Sequence, residues 1–161
     1  MLLVDFPETL FSIEDVNRAK KLIERGYRHK IKVIGCPEFK KGVEASLKLI
    51  EEAGYADFMR SYIRTISESR GFSQLREFEA SLWANKYTVE DPVEAASFFI
   101  QKAQQMKMFL EGVAHFTGEG EAIAIKKRIE FLKDLKERTT DPKVKEDCER
   151  KLNLWKESTF F

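Results

Sequence analysis

Gln101 and Gln105 stand one helical turn apart in the run Ala-Ser-Phe-Phe-Ile-Gln-Lys-Ala-Gln-Gln-Met-Lys, with Lys102 between them. Side chains at i and i+4 project from one face of a helix, the spacing at which two ligands can grip one ion while a neighbour moves a proton. An amide oxygen is a poor zinc ligand, and a lysine that is cationic at neutral pH takes no proton from water. Two readings stay open: solvated glutamines chosen as good helix formers, or a cleft whose amides hydrogen-bond a peptide backbone between walls formed by Phe98 and Phe109. Further along, Glu121 and Arg128 fall within the apolar arc of Ala124, Ile125, Phe131, Leu132 and Leu135. Charges in an apolar arc need partners, either as a structural ion pair or as part of a site.

Other chemical signals are fainter. His115 and Glu119, with Glu121, could be proposed as an atypical hydrolytic or metal group, though a loop histidine beside acids is ordinarily polar surface. Gly118-Glu-Gly120 opens a helix as phosphate loops do, but Glu119 and Glu121 would repel the phosphate. Arg25, Arg28, His29, Lys30 and Lys32, joined by Lys40 and Lys41, make a basic patch with only Tyr27 to stack a base. Net charge is +1, too little for general capture of a phosphate backbone, so nucleic acid is not expected as a partner. Cys36 and Cys148 have no metal or redox spacing and read as reduced and mostly buried.

These groups are positioned by a chain of 161 residues, 43% hydrophobic and 34% charged, which reads as one domain spanning 1–161. The ionic surface hints at a thermophile. The N-terminal run lacks a signal-peptide pattern and no apolar stretch reaches membrane-spanning length, so a cytoplasmic protein without membrane association is expected. Ser12 with Asp15 starts a first helix that ends at Gly26. Lys30–Ile34 is the best strand, with Leu2–Phe6 as its candidate neighbour. Pro37 opens a second helix, ended by Gly54, and Tyr55, Phe58, Met59, Tyr62, Ile63 and Ile66 repeat the helical rhythm after it. Residues 72–90 read as a helical start and an extended end. Asp91 as N-cap, Pro92 and Glu94 begin a long helix to Glu111, followed by helices near 118–136 and 142–156. The fold class is therefore α+β, predominantly helical, with five to six helices and a small sheet of two to four short strands.

The helices at 92–111 and 118–136 together resemble the core of a zincin metallopeptidase with a Glu third ligand. In that family one helix bears H-E-x-x-H, which binds zinc and activates water, and a following helix supplies a carboxylate. The corresponding frame here is Gln101-Lys102-Ala103-Gln104-Gln105, preceded by the Ala-Ser and apolar run. Glu121-Ala122 and Arg128-Ile129-Glu130-Phe131-Leu132 resemble the ligand-bearing helix. The resemblance covers residues 80–135 and implies a zincin-like core from which two ligands and the base have been replaced. The expectation is a degenerate, non-catalytic domain without a cofactor or bound metal, binding a peptide or protein partner in a residual cleft. That cleft comprises Phe98, Gln101, Lys102, Gln105, Phe109, Glu121 and Arg128. The alternatives are a hydrolase built on His115, Glu119 and Glu121, and a nucleic-acid accessory protein using the Arg25–Lys41 patch. Oligomeric state is not legible in the chain.

Overall fold

A computed structural model describes residues 5–158 as six α-helices and one four-stranded mixed sheet. The order is α1 (Ile13–Glu24), β1 (Lys32–Ile34), α2 (Pro37–Glu52), α3 (Ala56–Tyr62), β2 (Thr65–Glu68), β3 (Gln74–Arg76), β4 (Ser81–Ala84), α4 (Pro92–Leu110), α5 (Gly118–Arg138) and α6 (Pro142–Ser158). No helix among these residues is long and apolar enough to cross a membrane.

Strands lie in the order β1-β2-β4-β3, with β1, β2 and β4 parallel and β3 an antiparallel edge. The register aligns Val33, Ile66, Leu82 and Leu75, so the period of two puts all four on one face. Ile66, Leu82 and Leu75 join Phe39, Val43, Phe99 and Ile100 in one continuous core, with Val33 packed at its margin. Fully burying each such side chain contributes about 1.5–3 kcal/mol relative to exposure. The opposite face carries Thr65, Ser67, Ser81 and Trp83, and the Arg76 guanidinium lies 4.3 Å from the Trp83 ring centroid.

Helix α4 is the hub, packing against α2, α3 and α5 and touching α1 and α6. Its start follows the expected cap: the Asp91 carboxylate accepts from Glu94 N at 3.1 Å, and Pro92 takes the first helical position. Ser12 caps α1 in the same way.

Four sequence expectations are corrected. β1 pairs with β2; of its candidate neighbour Leu2–Phe6, residues 1–4 lie outside the described residues, and Phe6 is not in a strand but packs edge-on to His29. Helix α3 stops at Tyr62 and Ile66 belongs to β2, because a 3–4 spacing continued by chance into a strand whose alternate residue also faces the core. Residues 72–90 run strand, 3-10 turn (Glu77–Glu79), strand, 3-10 turn (Thr88–Glu90), which reverses the expected helical start. Cys148 is buried, but Cys36 is exposed at the N-cap of α2.

Candidate functional site

Arg128 is the group around which the polar side of α4 is organised. It is 8% exposed, on α5, and its guanidinium donates to three α4 side chains: Nε to Ser97 Oγ at 3.0 Å, Nη1 to Gln101 Oε1 at 2.9 Å, and Nη2 to Glu94 Oε1. Lys151 of α6, also buried, donates to the other Glu94 oxygen at 3.0 Å and to Asp91 Oδ2 at 2.6 Å. Two cations thus meet two carboxylates across three helices, with Asp91 capping α4 and pairing with Lys151 at once. Ser97 completes the circuit by donating to the Glu94 carbonyl at 2.9 Å.

The electrostatics follow from this arrangement. Burial pushes the Asp91 carboxyl up, but the Lys151 ammonium and the Glu94 N–H outweigh it and hold it below the usual range. Burial likewise pushes Lys151 down, and Asp91 with Glu94 more than reverses that. Arg128 is lowered by burial, opposed by Glu94, and remains a cation. Its guanidinium carbon lies 5.1 Å from the Trp155 ring and 6.0 Å from Phe98. Lys102 Nζ sits 5.4 Å from Phe98; burial and Arg128 lower its pKa, while Glu121 and Glu77 act in the opposite sense.

Phe98, Gln101, Lys102 and Arg128 therefore share one locus. Gln105 and Phe109 form a second. Gln105 is 2% exposed, so it is not a solvated surface glutamine; its Nε2 donates to the His115 carbonyl at 2.7 Å, and its Oε1 has no hydrogen-bond partner. Gln104 is buried as well, because α4 is covered on more sides than its pattern suggests. His115 Nε2 lies 3.1 Å from Glu77 Oε2, and its ring meets Phe109 edge-on at 5.8 Å. A Cβ on Gly120 would come within 1.9 Å of the Ala114 carbonyl, so the first turn of α5 rests directly on the loop that plugs this end of α4.

Glu121 is exposed and, unlike Arg128, does not enter the interior. His115, Glu119 and Glu121 are not gathered as a ligand set: among the described residues, no three His, Cys, Asp or Glu side chains are grouped to hold a metal ion. In the Arg25–Lys41 patch, His29 is buried and Arg28 donates to the carbonyls of Ile23 and Tyr27, so neither contributes to an open basic surface as expected.

Sequence reasoning missed Glu94 and Ser97 as partners of Arg128, and Lys151 with Asp91 as the second pair of the cluster. One signal was present: Lys151 falls beside Cys148, Leu152 and Trp155, an apolar arc as unsuited to a lone cation as the one that holds Arg128. It also missed an accessible ladder of rings. Phe11 stacks on Phe78 at 5.1 Å, Phe78 meets Phe109 at 5.5 Å, and beyond Phe109 the His115 ring lies 4.0 Å from Phe116. Phe11 is 71% exposed, Phe78 44% and Phe116 51%. Between the start of α1, the Glu77–Glu79 turn and the end of α4, Phe11, Phe78 and Phe109 border a groove of about 330 Å³, lined also by Leu10, Val16 and Leu110. A backbone bond from Leu10 N to Phe78 O at 2.8 Å ties its two walls together.

Comparison of the chain with models of known protein families, with curated proteins and with solved structures finds no match.

Proposed function

We propose that this chain is a non-catalytic, degenerate zincin-like domain that binds an apolar segment of a protein partner, and that the segment docks at the Phe109 end of α4. The observation that carries the reading is the ring ladder in which exposed Phe11 and Phe78 stand on half-buried Phe109. Large apolar side chains held in contact with one another yet open to water mark an interaction surface. The polar half of the expected cleft is less suited to that role: the Gln101 oxygen is engaged by Arg128 and the Gln105 amide by the His115 carbonyl. The zincin-like frame rests on the sequence resemblance, with Lys102 on α4 where a base would stand and Glu121 on α5, which packs against α4.

The groove favours a short run of aliphatic or aromatic residues, because its walls are rings and its floor is aliphatic, with Lys20 and Glu111 at the rim for the peptide's polar groups. Calorimetric titration tests this with synthetic peptides bearing Leu, Ile or Phe pairs, against Gly/Ser peptides of matched charge. Apolar peptides should bind, and the Phe11→Ser/Phe78→Ser double variant should lose at least about tenfold in affinity, as hot-spot aromatics do, with its thermal melt retained. Equal binding by wild type and variant would contradict the proposal. So would stoichiometric, tight zinc binding in a parallel titration that Glu121→Ala abolishes.

A further inference from the structure

Helix α6 carries two unlike sides. On one, it and α5 enclose a groove of about 480 Å³ with Ile129, Leu152 and Trp155 as apolar walls and Lys133, Lys136 and Lys156 around them. On the other, Glu146, Glu149 and Glu157 surround Leu154, an aliphatic side chain left 56% exposed. The single cation on that acidic side, Arg150, is held by Asp147 at 3.0 Å. A basic groove with apolar walls and an acidic side with an exposed aliphatic side chain are complementary in charge.

The chain therefore carries both halves of one contact, next to each other on the same helix and sharing Asn153. Adjacent complementary patches satisfy one another reciprocally across a twofold axis, which closes the assembly at two copies. The same pairing already occurs inside the chain, where Lys136 Nζ lies 3.7 Å from Glu149 at the border between the two sides. The Arg128 guanidinium carbon lies 5.1 Å from the ring centroid of Trp155, a wall of the groove.

We infer that α5 and α6 join two copies of this chain into a twofold dimer, each Leu154 entering the groove of the other copy between its lysines. This surface lies on other elements than the ring ladder, so its test stands apart from the one for the peptide site. Sedimentation equilibrium of the full chain should show a monomer–dimer equilibrium that weakens between about 50 mM and about 500 mM salt, as exposed ion pairs are screened. Lys133→Glu/Lys136→Glu should be monomeric, and Glu146→Lys/Glu157→Lys should be monomeric too. Mixing the two variants should restore dimers, because each basic patch again faces an acidic one. Circular dichroism melts of both variants establish that they fold; if either is unfolded, Leu154→Asp replaces it with the same expected loss of dimer. A wild-type chain that stays monomeric at millimolar concentration overturns the inference, as do dimers that survive both charge reversals or open chains in place of dimers. Binding of an acidic foreign peptide in the groove by a monomeric wild type also overturns it.

Discussion

His29 is the residue whose chemistry is most confined by its surroundings. It is 1% exposed, its Nε2 has no hydrogen-bond partner, and Phe6 and Tyr27 pack edge-on against its ring at 4.5 and 5.0 Å. Burial, followed by the nearby Arg64 and Arg60, pushes its pKa down from 6.5 to about 4. The folded chain therefore keeps His29 neutral while the unfolded chain protonates below about 6.5. Protons bind preferentially to the unfolded state between those values, so stability should fall as pH drops from about 6.5 to about 4 and gain no further contribution from this group below that. The two pKa values correspond to a loss of order 3 kcal/mol at most. Urea unfolding at stepped pH measures it, and His29→Phe should flatten the slope in this window. At the same scale, Arg128 shows how a residue type can be read correctly while its partner is not. Its place in an apolar arc marks it as paired, but Glu94 is far off in sequence and only the packing of α5 on α4 brings the two together.

At the level of elements, the start of α4 joins three helices. Asp91 and Glu94 serve as cap and first-turn acid, and both also receive Lys151, while Glu94 receives Arg128. Replacing Glu94 leaves two buried cations short of a counter-charge. Glu94→Ala should cost about 2–3 kcal/mol in chemical denaturation, the low end for a broken buried pair because Glu94 itself is partly solvated. Glu94→Gln should cost less, since its amide oxygen still accepts from one cation. Removing Asp91 acts through the cap and the Lys151 pair together, so the two losses are not separable by a single substitution. The local signals for this element were strong: Asp91-Pro92 and Glu94 fix where α4 begins. Residues 72–90 were not legible because their short strands are specified by register against β2 and β4, not by their own pattern. Ile66 shows the same limit, since helical spacing and strand alternation both place it in the core.

Across the whole molecule, the α+β class, the six helices and the small sheet follow from hydrophobic period and turn residues, which are local properties of the chain. The candidate site was half legible for the complementary reason. Phe98, Gln101, Lys102 and Arg128 do share a locus and Phe109 lies in the ring ladder, but Phe11 and Phe78 reach Phe109 from distant segments. Gln105 and Glu121 end up in different settings, one sealed under the 113–117 loop and one in solvent. Helix α4 therefore has two tasks: its N-terminal polar face holds the fold together, and its C-terminal end supports a surface of exposed rings. The most direct measurement is a random-peptide display selection run side by side on the wild type and on Phe11→Ser/Phe78→Ser. Enrichment of sequences rich in Leu, Ile and Phe on the wild type, lost on the variant, is the predicted result. Enrichment that is unchanged on the variant but lost on Lys102→Ala would contradict the account and return the binding site to the Gln101–Gln105 face.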